Sequence, residues 1–234
     1  MAGDKDFQTR TRLLVGEAGV ARLEKARVAV LGLGGVGSYA LEALVRAGVG
    51  SFWLVDADVV EMSNLNRQLL ALRSTLGIAK TEAARKRVAD INPQADVRCE
   101  QRRYSAESGL DFAGWDYVVD AIDDMEAKVA LALVCRQGDI PLIAAMGAGR
   151  RLRAEGFFVC DVGVSRGDPL ARRYRRLLRE RGITEGVKVV VSPEPPSAQE
   201  PGEAIGSVSF VPAVVGLIMA GEVVRDLICE ASIN

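Results

Sequence analysis

Histidine is absent from this 234-residue chain. That absence excludes Ser-His-Asp and Cys-His catalysis, histidine general bases and histidine metal ligands. Any chemistry must rest on Asp, Glu, Lys, Arg, Ser, Cys or backbone amides. Cysteine is scarce and scattered: Cys99, Cys135, Cys160 and Cys229 form no CxxC pair, which disfavours a four-cysteine zinc ribbon. Most of them sit in apolar runs and read as core. Long apolar runs are missing too. The stretch Val208–Ile218 is short, broken by Pro212 and followed by polar positions, so it does not read as a membrane span. Met1 to Asp6 carries no apolar signal segment. A cytoplasmic protein without membrane contact is expected. Neither charge sign is in excess: 30 Lys and Arg stand against 31 Asp and Glu. Any nucleic-acid binding must therefore use a local patch.

Hydrophobic residues make up 49% and charged residues 26%, close to a soluble globular average. The length suits one α/β domain with a large core, or two small ones. A short helix is expected over Gly16–Glu24, then a buried strand over Arg27–Leu31. A helix over Ser38–Ala47, a strand over Phe52–Val55 and a helix over Lys80–Ile91 follow, the last stopped by Asn92-Pro93. Ala95–Glu100, Tyr117–Val119 and Pro141–Ala145 read as strands, and Glu126–Gln137 as a helix closed by Gly138. This alternation is the mark of βαβ units: a Rossmann-like, doubly wound, mostly parallel sheet with helices on both faces. Farther on, Phe157–Val162 and Val187–Val191 read as strands, and Pro169–Arg181 as an amphipathic helix. Pro193–Ala204, with four of the eight prolines, reads as a loose loop, and Phe210–Ile228 as a largely buried helix. We read residues 1–234 as one domain: a nucleotide-binding core over 26–147 and a C-terminal elaboration over 148–234 holding the helix 169–181.

Gly32-Leu33-Gly34-Gly35-Val36-Gly37 follows a strand and opens a helix. Such a turn lets a phosphate chain approach backbone amides at the positive end of a helix. The alternative is a glycine-rich turn used only for packing. Asp56 closes the second strand 19 residues later and can bind ribose hydroxyls, which fits NAD and ATP equally. Asp56-Ala57-Asp58 is followed by Ser63-Asn64-Leu65-Asn66-Arg67-Gln68 and Gly77-Ile78-Ala79-Lys80. Alone, Arg67 and Lys80 would be ordinary exposed charges. In this order they suit a nucleotidyl-transfer site, where they hold a triphosphate and stabilise charge during displacement. Asn64 can add a neutral donor, and Asp123 can hold Mg²⁺ between phosphate oxygens.

These stretches, with Asp120-Ala121-Ile122-Asp123, resemble the ubiquitin-activating-like adenylyltransferase superfamily of the ThiF/HesA/MoeB type. They cover about Ala26–Gly147 in matching order and spacing. The resemblance implies that Gly32, Gly34, Gly35 and Gly37 approach ATP and that Asp56 binds its ribose. It implies that Asp58, Asn64, Arg67, Gln68 and Lys80 complete the nucleotide site, and that Asp123 is the magnesium ligand. Phe7–Leu14 resembles the family segment whose arginine reaches across a dimer interface to the partner's ATP, and Arg10 holds that position. Arg10, Arg67, Lys80 and Asp123 are thus the implied catalytic group, in a homodimer. A bound monovalent cation is a further implied cofactor.

The C-terminal third points within that superfamily. Asp161-Val162, Asp168-Pro169-Leu170-Ala171, Gly182-Ile183, Val189–Ser192 and Phe210–Gly221 resemble the tRNA threonylcarbamoyladenosine dehydratases, extending the likeness to nearly the whole chain. The implied substrate is threonylcarbamoyladenosine in tRNA. Its threonine carboxylate is adenylated, and the ureido group then displaces AMP to close a ring. The alternative is activation of the Gly-Gly end of a small sulfur-carrier protein. The missing CxxC pairs and the short chain count against it. Sulfur-transfer proteins remain an implied partner class. A protein that merely holds NAD by its glycine turn is a third reading. Residues 172–181 hold six arginines and one glutamate. Arg172, Arg173, Arg175, Arg176 and Arg179 are the candidate tRNA contacts, against a plain solvated helix face. Arg150, Arg151 and Arg153, or Arg102 and Arg103, are weaker candidates. Ser207 stands where some relatives carry a cysteine, so no catalytic cysteine is expected.

Overall fold

Five short runs are apolar almost without interruption, as strands buried on both faces must be. They form β1 (Arg27–Leu31), β2 (Ser51–Val55), β4 (Tyr117–Asp120), β5 (Leu142–Ala145) and β7 (Lys188–Val191). With β3 (Asp96–Glu100) and β6 (Phe158–Asp161) they make one seven-stranded sheet, in the order β3-β2-β1-β4-β5-β7-β6. This is a computed structural model that describes residues 6–198 and 205–229. All neighbouring strands run parallel except β6, which pairs antiparallel with β7, Phe158 opposite Val191.

Strand side chains alternate between two cores. Val28, Val30, Phe52 and Leu54 point into one, covered by α1 (Thr9–Lys25), α2 (Gly37–Ala47), α3 (Lys80–Ile91) and α6 (Phe210–Ile228). Ala29, Leu31, Trp53 and Val118 point into the other, covered by α4 (Met125–Gln137) and α5 (Pro169–Arg179). Each fully buried Leu or Phe contributes about 1.5–3 kcal/mol, so both faces carry substantial stabilisation. Trp53 lies 5.1 Å from Phe112 and 5.6 Å from Trp115, with the Arg98 guanidinium 4.1 Å above its ring.

Most elements fall where the sequence places them; α3 and α6 keep both expected ends. α1 is longer than expected because it joins two helical pieces across Gly16, whose φ of 73° breaks the helix. α5 stops at Arg179, two residues early, and the Ile183 amide then bonds back to the Leu178 carbonyl at 2.9 Å. The expected proline-rich loop runs partly through 199–204, outside the described residues, as do Met1–Lys5 of the N-terminal stretch.

β1 leads outward through β2 to β3, while β4 and β5 lie on its other side. The chain therefore reverses direction across the sheet between β1 and β4. Ligands of open α/β sheets bind outside the carboxyl ends of the strands at such a point.

Candidate active site

A cleft of about 450 Å³ opens at the carboxyl ends of β1, β2 and β4. Every nucleotide-binding residue expected from the sequence lines it except Gly37. Gly37 lies under the turn: a Cβ there would meet the Gly32 carbonyl oxygen at 1.8 Å. Its role is close packing of helix on strand. Gly32, at φ +86°, is also forced, since its Cβ would stand 2.5 Å from the Ala121 carbonyl oxygen. Gly34 is different. The nearest side-chain atom to a Cβ there is Gln68 Nε2 at 3.8 Å, so this stretch of backbone stays open to a ligand.

Asp56 is fixed from two sides. Its Oδ2 accepts the Leu33 amide at 2.6 Å and its Oδ1 the Asp58 amide at 2.8 Å. The carboxylate is thereby locked against the glycine turn, with lone pairs left over for further donors. The chain after β2 then doubles back. Val59 bridges Ala79, Gly77 turns at φ +79°, and the Lys80 amide bonds the Asp58 carbonyl at 3.0 Å. This hairpin brings Lys80 to the cleft. Its Nζ sits 2.7 Å from Asp58 Oδ2 and 3.9 Å from Asp56 Oδ1, and only 5% of the residue is exposed. Before it lies the Met62–Asn64 helical turn. Asn64 Oδ1 accepts the Glu61 amide, and Arg67 Nη1 donates to the Ser63 carbonyl and Asn66 Oδ1, both at 2.9 Å. Gln68 lines the cleft but is buried, and among the described residues its Oε1 has no hydrogen-bond partner. A buried acceptor left in this state costs free energy.

Asp123 rides the loop between β4 and α4. Among the described residues its carboxylate takes no hydrogen bond and no ion pair, while adjacent Asp124 is spent capping α4 through the Ala127 amide at 2.8 Å. Arg10 is exposed on α1 and does not line the cleft of its own chain.

Other walls of the cleft were not expected from the sequence as part of the nucleotide site. Tyr104 lines the far side, its phenol pushed up to about 12 by burial, so it stays protonated. Arg102 and Arg103, weak tRNA candidates, stand beside it in the same cleft. Ile205, Ser207 and Pro212 close another side, and Asn66 Nδ2 donates to the Ser207 carbonyl at 3.0 Å. Pro212 belongs to the first turn of α6, and Ile205 and Ser207 lead into that helix, so only the packing of α6 brings them here.

Four of the five candidate tRNA arginines, Arg172, Arg173, Arg176 and Arg179, are exposed on α5. Arg175 turns inward and donates to the Ser165 carbonyl and hydroxyl. Arg151 also departs from expectation. It is 4% exposed and bonds the Gly147 carbonyl at 2.8 Å and Asp168 Oδ2 at 3.1 Å, so it cannot meet a nucleic acid. Asp168 in turn caps α5 through the Leu170 and Ala171 amides, tying its start to the loop after β5 that walls the cleft.

The cleft thus gathers open glycine backbone, the Asp56 carboxylate, the four cations Arg67, Lys80, Arg102 and Arg103, and the Asp123 carboxylate. The sequence matches the ThiF family over residues 8–233. The chain belongs to the ThiF family. Among its relatives, the tRNA threonylcarbamoyladenosine dehydratase of Bacillus subtilis is 41% identical over 97% of this chain and 96% of its own length. The Escherichia coli enzyme of the same name is 31% identical over 95% of this chain and 93% of its own. A solved structure of the E. coli dehydratase in complex with ATP superposes with a TM-score of 0.86 at 34% identity. It covers 93% of this chain and 92% of that one. A Saccharomyces cerevisiae adenylyltransferase and sulfurtransferase is 38% identical, but over only 57% of this chain and 31% of its own.

Proposed function

We propose that this ThiF-family protein is an ATP-dependent tRNA threonylcarbamoyladenosine dehydratase, with the whole chain acting as one adenylation domain. The carrying observation is that the cleft gathers the glycine turn, Asp56, Arg67, Lys80 and Asp123 in a chain aligned end to end with dehydratases. Similarity to the sulfur-carrier activator is confined to little more than half of the chain, which disfavours that alternative.

In this reading the threonine carboxylate attacks the α-phosphorus of ATP, and the α–β phosphoanhydride bond breaks to release pyrophosphate. The ureido group then attacks the acyl carbon, AMP leaves, and the nucleoside has lost one water. Both reacting groups belong to one nucleoside, so ring closure needs no external nucleophile and no histidine. Arg67 and Lys80 hold the phosphates and stabilise negative charge on the departing pyrophosphate. Asp56 orients the ribose, and Gln68 forms part of the wall against which the nucleotide packs.

Magnesium fits the donor set. Asp123 presents a hard carboxylate oxygen with no protein partner, and no cluster of three His, Cys, Asp or Glu stands among the described residues. Mg²⁺ commonly takes one or two carboxylates and fills its shell from phosphates and water. When bound, it would neutralise phosphate charge.

The tRNA lies along α5, across Arg172, Arg173, Arg176 and Arg179. The protein acts as a homodimer in which Arg10 reaches the partner's ATP. Support comes from the exposure of Arg10 beside Leu13 and Leu14, which are 85% and 87% exposed on the same helix. A cytoplasmic location suits a tRNA substrate, and no helix among the described residues is long and apolar enough to cross a membrane. Incubation with threonylcarbamoyladenosine-containing tRNA and Mg-ATP tests the assignment. AMP, pyrophosphate and a nucleoside lighter by one water are expected in equal amounts. Turnover that requires a Gly-Gly carrier and leaves the nucleoside unchanged would refute it.

A further inference from the structure

One buried charge lies outside the machinery described so far. Lys128 of α4 has no exposed surface, although its helix neighbours Leu131, Ala132 and Cys135 are apolar core. Its Nζ is 3.0 Å from Asp120 Oδ2, and that carboxylate is fully buried as well. Burial of such a pair rarely adds net stability, because desolvation of both ions offsets their attraction. Burial pushes the Asp120 carboxyl upward, and the adjacent Lys128 opposes it. A well-packed apolar pair would fill the same volume, so what these charges hold in place is the informative feature.

They hold the loop that carries Asp123. Lys128 Nζ donates to the Ile122 carbonyl at 3.2 Å and reaches the Asp120 carbonyl at 3.5 Å. Asp120 Oδ1 accepts the Ile122 amide at 3.1 Å, and the Ala121 amide bonds the Leu31 carbonyl at 2.8 Å. The loop 120–122 therefore has its polar backbone groups drawn toward the core by two side chains and β1. Gly32 permits the close approach of Ala121 to the glycine turn. Asp123 comes next in the chain, and among the described residues its carboxylate has no polar partner. Its location relative to the glycine turn is set from beneath.

We propose that Lys128, paired with Asp120, is a positioning residue that fixes the 120–123 loop so that the Asp123 carboxylate meets the metal–triphosphate. This rests on the reading of Asp123 as metal ligand. Groups behind a metal ligand commonly contribute about 10–100-fold to metal affinity. The same range is expected here. The OH of Tyr174, on the arginine-rich α5, donates to the Lys128 carbonyl at 3.4 Å, which further fixes this helix turn.

The test compares Asp123→Asn, Lys128→Arg and the charge-free pair Asp120→Asn/Lys128→Met. Three quantities are read: AMP affinity without metal, the Mg²⁺ dependence of ATP affinity by calorimetry, and Mn²⁺ bound in the presence of ATP by electron paramagnetic resonance. The double variant should fold, bind AMP within about threefold of the parent, and lose about 10–100-fold in metal-dependent ATP binding. Lys128→Arg keeps the charge with altered reach and should lose less; it serves as the test should the double variant fail to fold. If Asp123→Asn loses the metal dependence while the double variant (or Lys128→Arg, where that variant must stand in) keeps it, the positioning role is overturned. If Asp123→Asn itself keeps the metal dependence, the reading of Asp123 fails and the proposal fails with it.

Discussion

Lys80→Met removes an ammonium while roughly keeping side-chain volume. In the free protein that ammonium is paired with Asp58 at 2.7 Å, and the Asp58 side chain is 57% exposed. An ion pair with so exposed a partner contributes at most about 1 kcal/mol, and buried Asp56, 3.9 Å from the ammonium, keeps its two backbone amide donors, so the fold should notice the change little. Toward ATP the same ammonium stands in a nearly buried site. A hydrogen bond to a charged group there is worth about 1.5–3 kcal/mol. Subtracting the pairing with Asp58 that ATP must displace leaves about 0.5–2 kcal/mol, or roughly 2–30-fold in ATP affinity. The larger effect falls on turnover, because charge builds on the pyrophosphate during displacement. Loss of one preorganised donor aimed at developing charge costs about 10²–10³ in kcat. The assays are calorimetric ATP binding and AMP release with modified tRNA, with thermal unfolding as the control. A folded variant with ATP affinity and turnover both within about threefold of the parent (under 1 kcal/mol) would refute the reasoning.

Five further outcomes are expected. Gly32→Ala should lower stability by at least about 1–3 kcal/mol in chemical unfolding, since it imposes a positive φ on a Cβ that meets Ala121. Asp168→Ala should cost about 3–5 kcal/mol, because it removes the α5 cap and leaves buried Arg151 without its ion-pair partner. Replacing Arg172, Arg173 and Arg176 with glutamine should weaken tRNA binding and flatten its salt dependence, with the log–log slope falling by about one for each phosphate no longer engaged, measured by titration at several salt concentrations. Arg175→Gln should instead lower the melting temperature, because that guanidinium holds the Ser165 turn. Acid stability should depend on Glu222, whose carboxyl is held below its ordinary 4.5 by hydrogen bonds from Lys188 and then Arg225. A depressed folded value gives stability that is present above pH 4.5 and lost as pH falls through the lowered value. Lys188→Met should therefore flatten the acid limb below pH 4.5 in pH-dependent unfolding.

The parts of this fold that local chemistry dictates were legible. β1, β2, β4, β5 and β7 are buried on both faces and so read as apolar runs, and Asn92-Pro93 marked the end of α3. The glycine turn, Asp56 and Lys80 lie within one stretch of chain, where spacing alone could bring them together. Relations between distant segments were not legible. Ile205, Ser207 and Pro212 reach the cleft only because α6 packs across α2, where Gly216 lets it approach the Val36 carbonyl. The reversed direction of β6 carries no mark in its own residues. Arg175 and Arg151 read as solvated charges until the Ser165 turn and the Asp168 cap are placed beside them. For Lys128 a signal did exist: it is one charge on the apolar face of α4, in step with Leu131, Ala132 and Cys135.

The central claim is that the activated carboxylate belongs to a tRNA nucleoside. Mass spectrometry of tRNA nucleosides tests it most directly, in cells lacking this gene and in the same cells supplied with the parent or with Lys80→Met. Threonylcarbamoyladenosine should accumulate without the gene. The form lighter by one water should return with the parent and stay absent with Lys80→Met. An unchanged nucleoside profile in all three would contradict it.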